Sequence, residues 1–363
     1  MRLAVILFNL GGPDSPEAVE PFLRNLFCDP DIIALPALFR LPLGRFMARR
    51  RAPVARNIYA HIGGRSPIFE ETRAQGDALE KVLGGDGVEA KAFVAMRYWH
   101  PFSDGAARAV KAYDPDRIVL LPLYPQYSTT TSSSSLKDWA RAAKRAGLCK
   151  PTSRVCCYPW EPGFVAAVAG KIREAMAGAR ADVSYRLLLS AHGLPKRTVE
   201  RGDPYQWQVE QCAAAIVKAL AMPELEPVVC YQSRVGPLEW IGPATDAEIA
   251  RAGRDGKGVI VAPIAFVSEH SETLVELDIE YRRLAGEKDV PDYRRAATVG
   301  THTAFIEGLA GLVRQAMEGK IVTCGDGRTC PMNLNCCGYG APRADARKKQ
   351  GPRADARKKQ GKT

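Results

Sequence analysis

No apolar run in this 363-residue chain is long enough to cross a bilayer. The longest, Val259–Val267, has nine residues with a proline among them, against the ~20 that a spanning helix needs. The opening "MRLAVILFNLGGP" lacks the longer charged-then-apolar design of a secretory signal. It stops at Gly11-Gly12-Pro13 and reads as a first strand and a turn. A cytoplasmic protein with reduced thiols is the expectation, which disfavours a disulfide framework. "GGPDSPE" is neither G-x-G-x-x-G nor a Walker loop, so no nucleotide cofactor is expected. "SAHGLP" (190–195) lacks the G-x-S-x-G of a nucleophile elbow, so its serine is not read as a nucleophile. Positive charge is scarcer than the formal net +11 suggests. Residues 341–363 carry nine Lys/Arg against two Asp, leaving +4 for the other 340 residues, too little to support nucleic-acid binding.

What the chain does have is one recurring unit: a short apolar run, Gly/Pro/Ser punctuation, then a helical stretch. Leu3–Leu7, Ala92–Ala95, Ile118–Leu123, Leu187–Leu189, Val228–Tyr231 and Val259–Val267 are the runs. Continuous apolar strands alternating with helices imply parallel sheets covered on both faces. The expected fold is α/β, with two doubly wound, Rossmann-like domains divided near 158. The expected parts are domain 1 over 1–158, with an apolar, arginine-rich lip at 32–68, and domain 2 over 159–300. A helix over 301–322 packs back on domain 1. A Cys-rich loop spans 323–340, and a disordered basic tail spans 341–363. The tail is a tandem repeat, "PRADARKKQG" at 342–351 and again at 352–361, with no apolar face to bury.

In open α/β sheets the ligand crevice lies beyond the carboxyl ends of the strands. Three of the five histidines, His100, His192 and His270, fall at such ends, as do Arg97, Tyr98, Gln232 and Ser233. In "SEHSETLVELDIEYRR" (268–283), Ser271 is a plausible N-cap. Leu274, Leu277, Tyr281 and Leu284 mark a buried helical stripe. Glu272 and Glu276, four apart, stack on one face. Like charges at that spacing cost a few tenths of a kcal/mol on an exposed helix, unless a cation or shared protons compensate. Imidazole beside carboxylates suits a divalent metal, proton abstraction, or both. The segment 36–68 mixes Leu, Phe and Met with clustered arginines, either a core helix with a solvated basic face or the wall of a pocket for a flat, apolar, acid-bearing ligand.

"FNLGGPDS", "RYWHP", "LPLYPQYSTTT", "SAHGLP", "YQSRVGPLEWIGPATD" and "FVSEHSETLVELDIEY" together resemble the signature blocks of the ferrochelatase family, in family order over about residues 3 to 320. The resemblance implies insertion of Fe²⁺ into protoporphyrin IX, clamped between two Rossmann-like domains, to make protohaem. It implies His192 as the base or iron ligand, Glu272 facing it, and Glu276 as the next carboxylate on a path for iron or protons, with His270 alongside. Arg97 and Tyr98 resemble the residues on the opposite face of the macrocycle. Leu10, Arg51, Tyr59, Ser66 and Trp240 resemble the wall and propionate edge. Coproporphyrin or cobalt as the natural substrate, and a non-catalytic haem or iron–sulfur sensor, stay open as alternatives. The greasy lip leaves room for transient membrane contact.

The loop "CGDGRTCPMNLNCC" (324–337) holds Cys324, Cys330, Cys336 and Cys337 in a C-x5-C-x5-C-C spacing, without the two C-x2-C knuckles of a zinc ribbon. Some ferrochelatases hold a [2Fe–2S] cluster through C-terminal cysteines, and the resemblance implies such a cluster here. Where cluster-bearing relatives have an interior cysteine after "PQYS", this chain has Thr129. Either all four tail cysteines serve, or three do, with Cys149, Cys156 or Cys157 completing the set.

Overall fold

The computed structural model describes residues 1–340 except Asp86, Val235, Pro237, Lys320 and Asp326. The basic repeat expected at 341–363 lies outside the described residues.

Two parallel sheets are formed. β1 (Arg2–Asn9), β2 (Glu89–Met96), β3 (Arg117–Pro122), β4 (Thr152–Cys157) and β9 (Ile321–Thr323) lie in the order β2-β1-β3-β4-β9. β5 (Tyr185–His192), β6 (Glu226–Gln232), β7 (Gly258–Pro263) and β8 (Tyr293–Arg295) lie in the order β6-β5-β7-β8. The period-2 alternation of a strand explains why the apolar runs are unbroken. On β1, Leu3, Val5 and Leu7 face one core, while Ala4, Ile6 and Phe8 face another with Val110 and Trp139. On the second sheet, Leu187, Leu189, Ile260 and Ala262 join the core of Leu3, Val5 and Leu7, whereas Leu188, Val259 and Val261 pack with Ile249 and Ala285.

One apolar core is therefore continuous between the two sheets. Phe164, Val168 and Ile172 of helix Pro162–Met176 meet Phe305, Leu309 and Val313 of helix Thr303–Glu318 inside it. Polar links reinforce the junction. The buried amide of Gln75 donates to the carbonyls of Val267 at 2.8 Å and Gly300 at 3.0 Å, and its oxygen accepts from Ser268.

The helix expected over 301–322 ends at Glu318, and Ile321–Thr323 instead forms β9, parallel to β4. Three residues with a register shift are too short for periodicity to reveal. Segment 37–60 is one helix of 24 residues with Pro42 and Pro53 inside. Both sheets present their carboxyl ends to the candidate site: His192 and Gln232 are the last residues of β5 and β6, and Met96 of β2 is followed directly by Arg97 and Tyr98.

Candidate active site

The loop after β7 leads into an unusual element. Glu272–Glu280 is a π-helix that passes into the α-helix Tyr281–Glu287. Such helices are rare and cluster at functional sites. The wider turn corrects the expected stripe: Thr273, Val275 and Leu277 are its buried residues, and Leu274 is only half-buried. Ser271 makes no cap bond, and its hydroxyl reaches the Tyr59 hydroxyl at 3.4 Å.

The entry to this helix is clamped. Glu269 accepts from Arg295 at 2.9 Å, from the Thr298 backbone at 3.0 Å and from Thr273 Oγ1 at 2.5 Å. Burial alone would raise the Glu269 carboxyl, but Arg295 and these donors hold it below its ordinary value.

Four of the expected residues converge here. His192 Nδ1 lies 2.7 Å from the carbonyl of Gly193. A carbonyl can only accept, so Nδ1 carries the proton of the neutral ring and Nε2 is left with a free lone pair. That Nε2 is 3.7 Å from Glu272 Oε2, and His270 Nε2 is 3.8 Å from the same oxygen. His270 Nδ1 is likewise turned to a carbonyl, that of Ser268, at 3.2 Å. Burial pushes the Glu272 carboxyl up, but the two imidazoles and Ser233 outweigh it and hold it at about 2.

Glu276 is surrounded by donors. Oε1 accepts from the Ser233 backbone at 2.8 Å and the Tyr281 hydroxyl at 3.0 Å; Oε2 accepts from Gln232 at 3.2 Å and from the Ser233 hydroxyl. Burial and then the charge of Glu272 raise its carboxyl. Ser233 reaches this position through a left-handed backbone, φ 61°, which costs roughly 1 kcal/mol or more in a non-glycine residue. Trp240 closes over the turn after His192: a Cβ on Gly193 would lie 3.1 Å from its ring and 3.0 Å from the Gln232 carbonyl.

The other sheet supplies a second group. Asp29 is buried, and its Oδ2 accepts from Arg97 at 2.7 Å, Tyr98 at 2.7 Å and Ser134 at 2.8 Å. Ser134 also accepts from Arg97 Nε at 2.7 Å. Burial raises the Tyr98 hydroxyl well above its ordinary value, with the Asp29 charge adding to it. Sequence reasoning missed Asp29, whose partners are about 70 and 105 positions away. Leu10 and Tyr59 pack together with Tyr98 and Trp99, and burial pushes the Tyr59 hydroxyl up to about 12. Ser66 is buried and Arg51 exposed. Leu38, Phe39, Phe46 and Val54 on the same helix are all more than half exposed. His100 does not join His192 and His270; its ring packs edge-on to Trp99 and Phe102.

The C-terminal cysteines separate. Cys330 and Cys337 are buried and lie near Cys156 and Cys157 at the end of β4; the Cys156 thiol contacts Cys157 and Cys337, and Cys330 contacts Cys337. Cys337 is pulled down to about 2 by thiol donors Cys156 and Cys330, and those two are pushed up in return. Cys324 lines a cleft with Glu161 and Glu307, and Cys336 turns toward the Arg201 carbonyl at 3.4 Å. Cys149 is exposed. Among the described residues no group of three or more His, Cys, Asp and Glu is arranged to hold a metal ion.

Comparison with known proteins agrees with this layout. The chain is 55% identical over 318 residues to the ferrochelatase of Caulobacter vibrioides (strain NA1000 / CB15N), covering 87% of this chain and 90% of that one. It is 55% identical over 321 residues to that of Phenylobacterium zucineum (88% and 92% covered), and 47% identical over 358 residues to that of Hyphomonas neptunium (96% and 97%). Among solved structures, "SirB from Bacillus subtilis with Fe3+" shares the fold at TM-score 0.50 and 15% identity, covering 87% of this chain and 96% of that one. The ferrochelatase family profile matches residues 2–317, and the chain belongs to the ferrochelatase family, the enzymes that insert ferrous iron into a porphyrin in haem synthesis.

Proposed function

We propose that His192 and Glu272 carry out metal insertion in this chain, with protoporphyrin IX as the porphyrin. The observation that carries the reading is the fixed tautomer of His192: Nδ1 is engaged by Gly193, and Nε2 faces the Glu272 carboxylate at 3.7 Å. Metallation exchanges two pyrrole N–H protons for one Fe²⁺, so the site must accept protons beside a divalent cation. A neutral imidazole with a free Nε2 takes a pyrrole proton near neutral pH, and the Glu272 carboxylate then stabilises the imidazolium. The porphyrin supplies four nitrogens to the iron, so a complete protein cage for it is unnecessary.

Glu276 acts behind Glu272. Four donors occupy its two oxygens, which is the full ordinary capacity of a carboxylate. It holds the end of β6 to the π-helix rather than offering a free ligand atom. Arg97 and Tyr98, fixed by Asp29, serve the opposite face of the ring. Arg51, Tyr59 and Ser66 serve the propionate edge, and Leu10 and Trp240 the apolar wall. Helix Ala37–Ala60 carries six arginines and no acid beside its exposed apolar residues, which supports transient contact with an anionic membrane surface. Among the described residues no helix is long and apolar enough to cross a membrane. The cysteines stand as thiols rather than disulfides, which supports a reducing, cytoplasmic compartment.

The [2Fe–2S] cluster that the family resemblance implies does not fit the thiols present: Cys156, Cys157, Cys330 and Cys337 are buried, and among the described residues no group of three or more His, Cys, Asp and Glu could hold a metal ion. The test is anaerobic incubation of the protein with protoporphyrin IX and Fe²⁺, followed by absorbance. Haem formation is expected; its absence contradicts the reading of the insertion site.

A further inference from the structure

Gln75 reaches the insertion site from the other sheet. It lies in helix Ile68–Leu83, which packs on β1 and β2, and it is only 1% exposed. Its amide nitrogen donates to the carbonyl of Val267 at 2.8 Å and to that of Gly300 at 3.0 Å, and its oxygen accepts from Ser268 Oγ at 3.1 Å. Carbonyls only accept, so the two of them decide the orientation of the amide. Val267 and Ser268 belong to the loop 264–271 after β7, and Gly300 to the loop 296–302 after β8. The Gly300 N–H also donates to the Val267 carbonyl, at 3.0 Å. One side chain carried by the first sheet's helix thus pins two loops of the second sheet at a shared point.

The pinned segment runs straight into the site. Ser268 meets Gln75 through its hydroxyl and His270 through its carbonyl, which faces Nδ1 at 3.2 Å. That contact leaves His270 Nε2 directed at Glu272 Oε2, 3.8 Å away. The His270 backbone donates to Thr273 Oγ1 at 3.0 Å, at the start of the π-helix. Packing of the junction does not by itself call for an amide here. Leu79 and Leu83 of the same helix bury their side chains in the continuous apolar core, whereas both N–H donors of Gln75 go to the loops that lead to His270.

We propose that Gln75 is a positioning residue for metal insertion: through Ser268 it holds the His270 ring toward Glu272, and so fixes the carboxylate that faces His192. The inference rests on the His192–Glu272 reading above. Gln75 acts through Ser268 and His270 rather than on the reacting atoms. Displacing a catalytic group by about 1 Å costs up to about 100-fold in rate, even when the cause lies away from the chemistry.

The experiment is anaerobic steady-state insertion of Fe²⁺ into protoporphyrin IX by the whole chain carrying Gln75→Met, Ser268→Ala or His270→Ala, and by the two double variants with His270→Ala. Fluorescence titration with the porphyrin and denaturant melts accompany it. Gln75→Met keeps the length of the side chain and removes both N–H donors. It is expected to lower kcat about tenfold while porphyrin affinity stays within about twofold of wild type. Ser268→Ala removes only the hydroxyl that Gln75 receives; it should lower kcat less, in the same direction, and carries the measurement if Gln75→Met does not fold. In the His270→Ala background neither substitution should lower kcat further, because the ring they act through is gone. Wild-type kcat in the folded variants, with the loss confined to stability, overturns the role of Gln75, as do losses that multiply with that of His270→Ala. Near-normal insertion by His192→Ala overturns the reading of the site, and this inference with it.

Discussion

Nε2 of His192 and Oε2 of Glu272 face one another at 3.7 Å, each held from behind. His192 is fixed through its Nδ1 contact with Gly193, and Glu272 through His270 and Ser233. Glu276 sits one step further back, with every oxygen lone pair taken by a donor. The two carboxylates should therefore respond differently to neutralisation. Glu272→Gln is expected to lower kcat about 100-fold, within the range for loss of acid–base function. Glu276→Gln should lower it about tenfold, through misplacement of the π-helix. Steady-state anaerobic assays compare them; equal losses would contradict the assignment.

Acid stability gives a second test. The folded-state pKa of Glu272 is depressed to about 2, below the ~4.3 of an unfolded glutamate. A depressed carboxyl contributes stability that is fully present above the unfolded value and is lost as pH falls through the folded one. The stability difference between wild type and Glu272→Gln, measured by urea denaturation, should shrink steadily as pH drops from about 4.3 toward 2. A difference that stays constant through that window would contradict the ionised, imidazole-paired carboxylate.

Asp29 offers a third. It is the carboxylate paired with Arg97, whose side chain is only 14% exposed. Removing one partner of a buried pair leaves an uncompensated charge, at a cost of about 3–5 kcal/mol. Asp29→Ala should lose about that much stability in denaturant melts, and Asp29→Asn less. Asp29→Asn, if folded, should also weaken porphyrin binding by freeing Arg97 and Tyr98. Unchanged stability in both variants would contradict the pairing.

The C-terminal loop can be lifted without touching a cysteine. A Cβ on Gly338 would fall 2.1 Å from the Tyr127 ring, beside Cys156 and Cys157. Gly338→Ala should displace Cys337 from Cys156 and lower stability in denaturant melts by roughly 1–3 kcal/mol, the usual cost of overpacking. Unchanged stability in Gly338→Ala would contradict this packing.

Much of this was legible in the sequence, for identifiable reasons. Leu3–Phe8 reads as a strand buried on both faces because alternate residues serve two cores, so the run has no polar gap. His192, His270, Glu272 and Glu276 could be named because short blocks at strand ends carry chemistry that packing does not require. What stayed hidden depends on distant partners. Nothing near Asp29 in the chain announces Arg97 or Ser134. The π-helix is likewise invisible to a 3.6-residue period: Gln232 and Ser233 of another strand bond to Glu276, and that contact is tertiary. Spacing groups Cys324, Cys330, Cys336 and Cys337, with Cys149, Cys156 or Cys157 as the alternative fourth; the fold sets Cys156 and Cys157 at the end of β4, about 170–180 residues earlier, beside Cys330 and Cys337.

The central claim is that His192 accepts the pyrrole proton. The most direct measurement is anaerobic single-turnover insertion of Fe²⁺ into protoporphyrin IX by His192→Ala, beside fluorescence titration of the same variant with the porphyrin. The account predicts porphyrin binding close to wild type with insertion abolished; near-normal insertion by His192→Ala would contradict it.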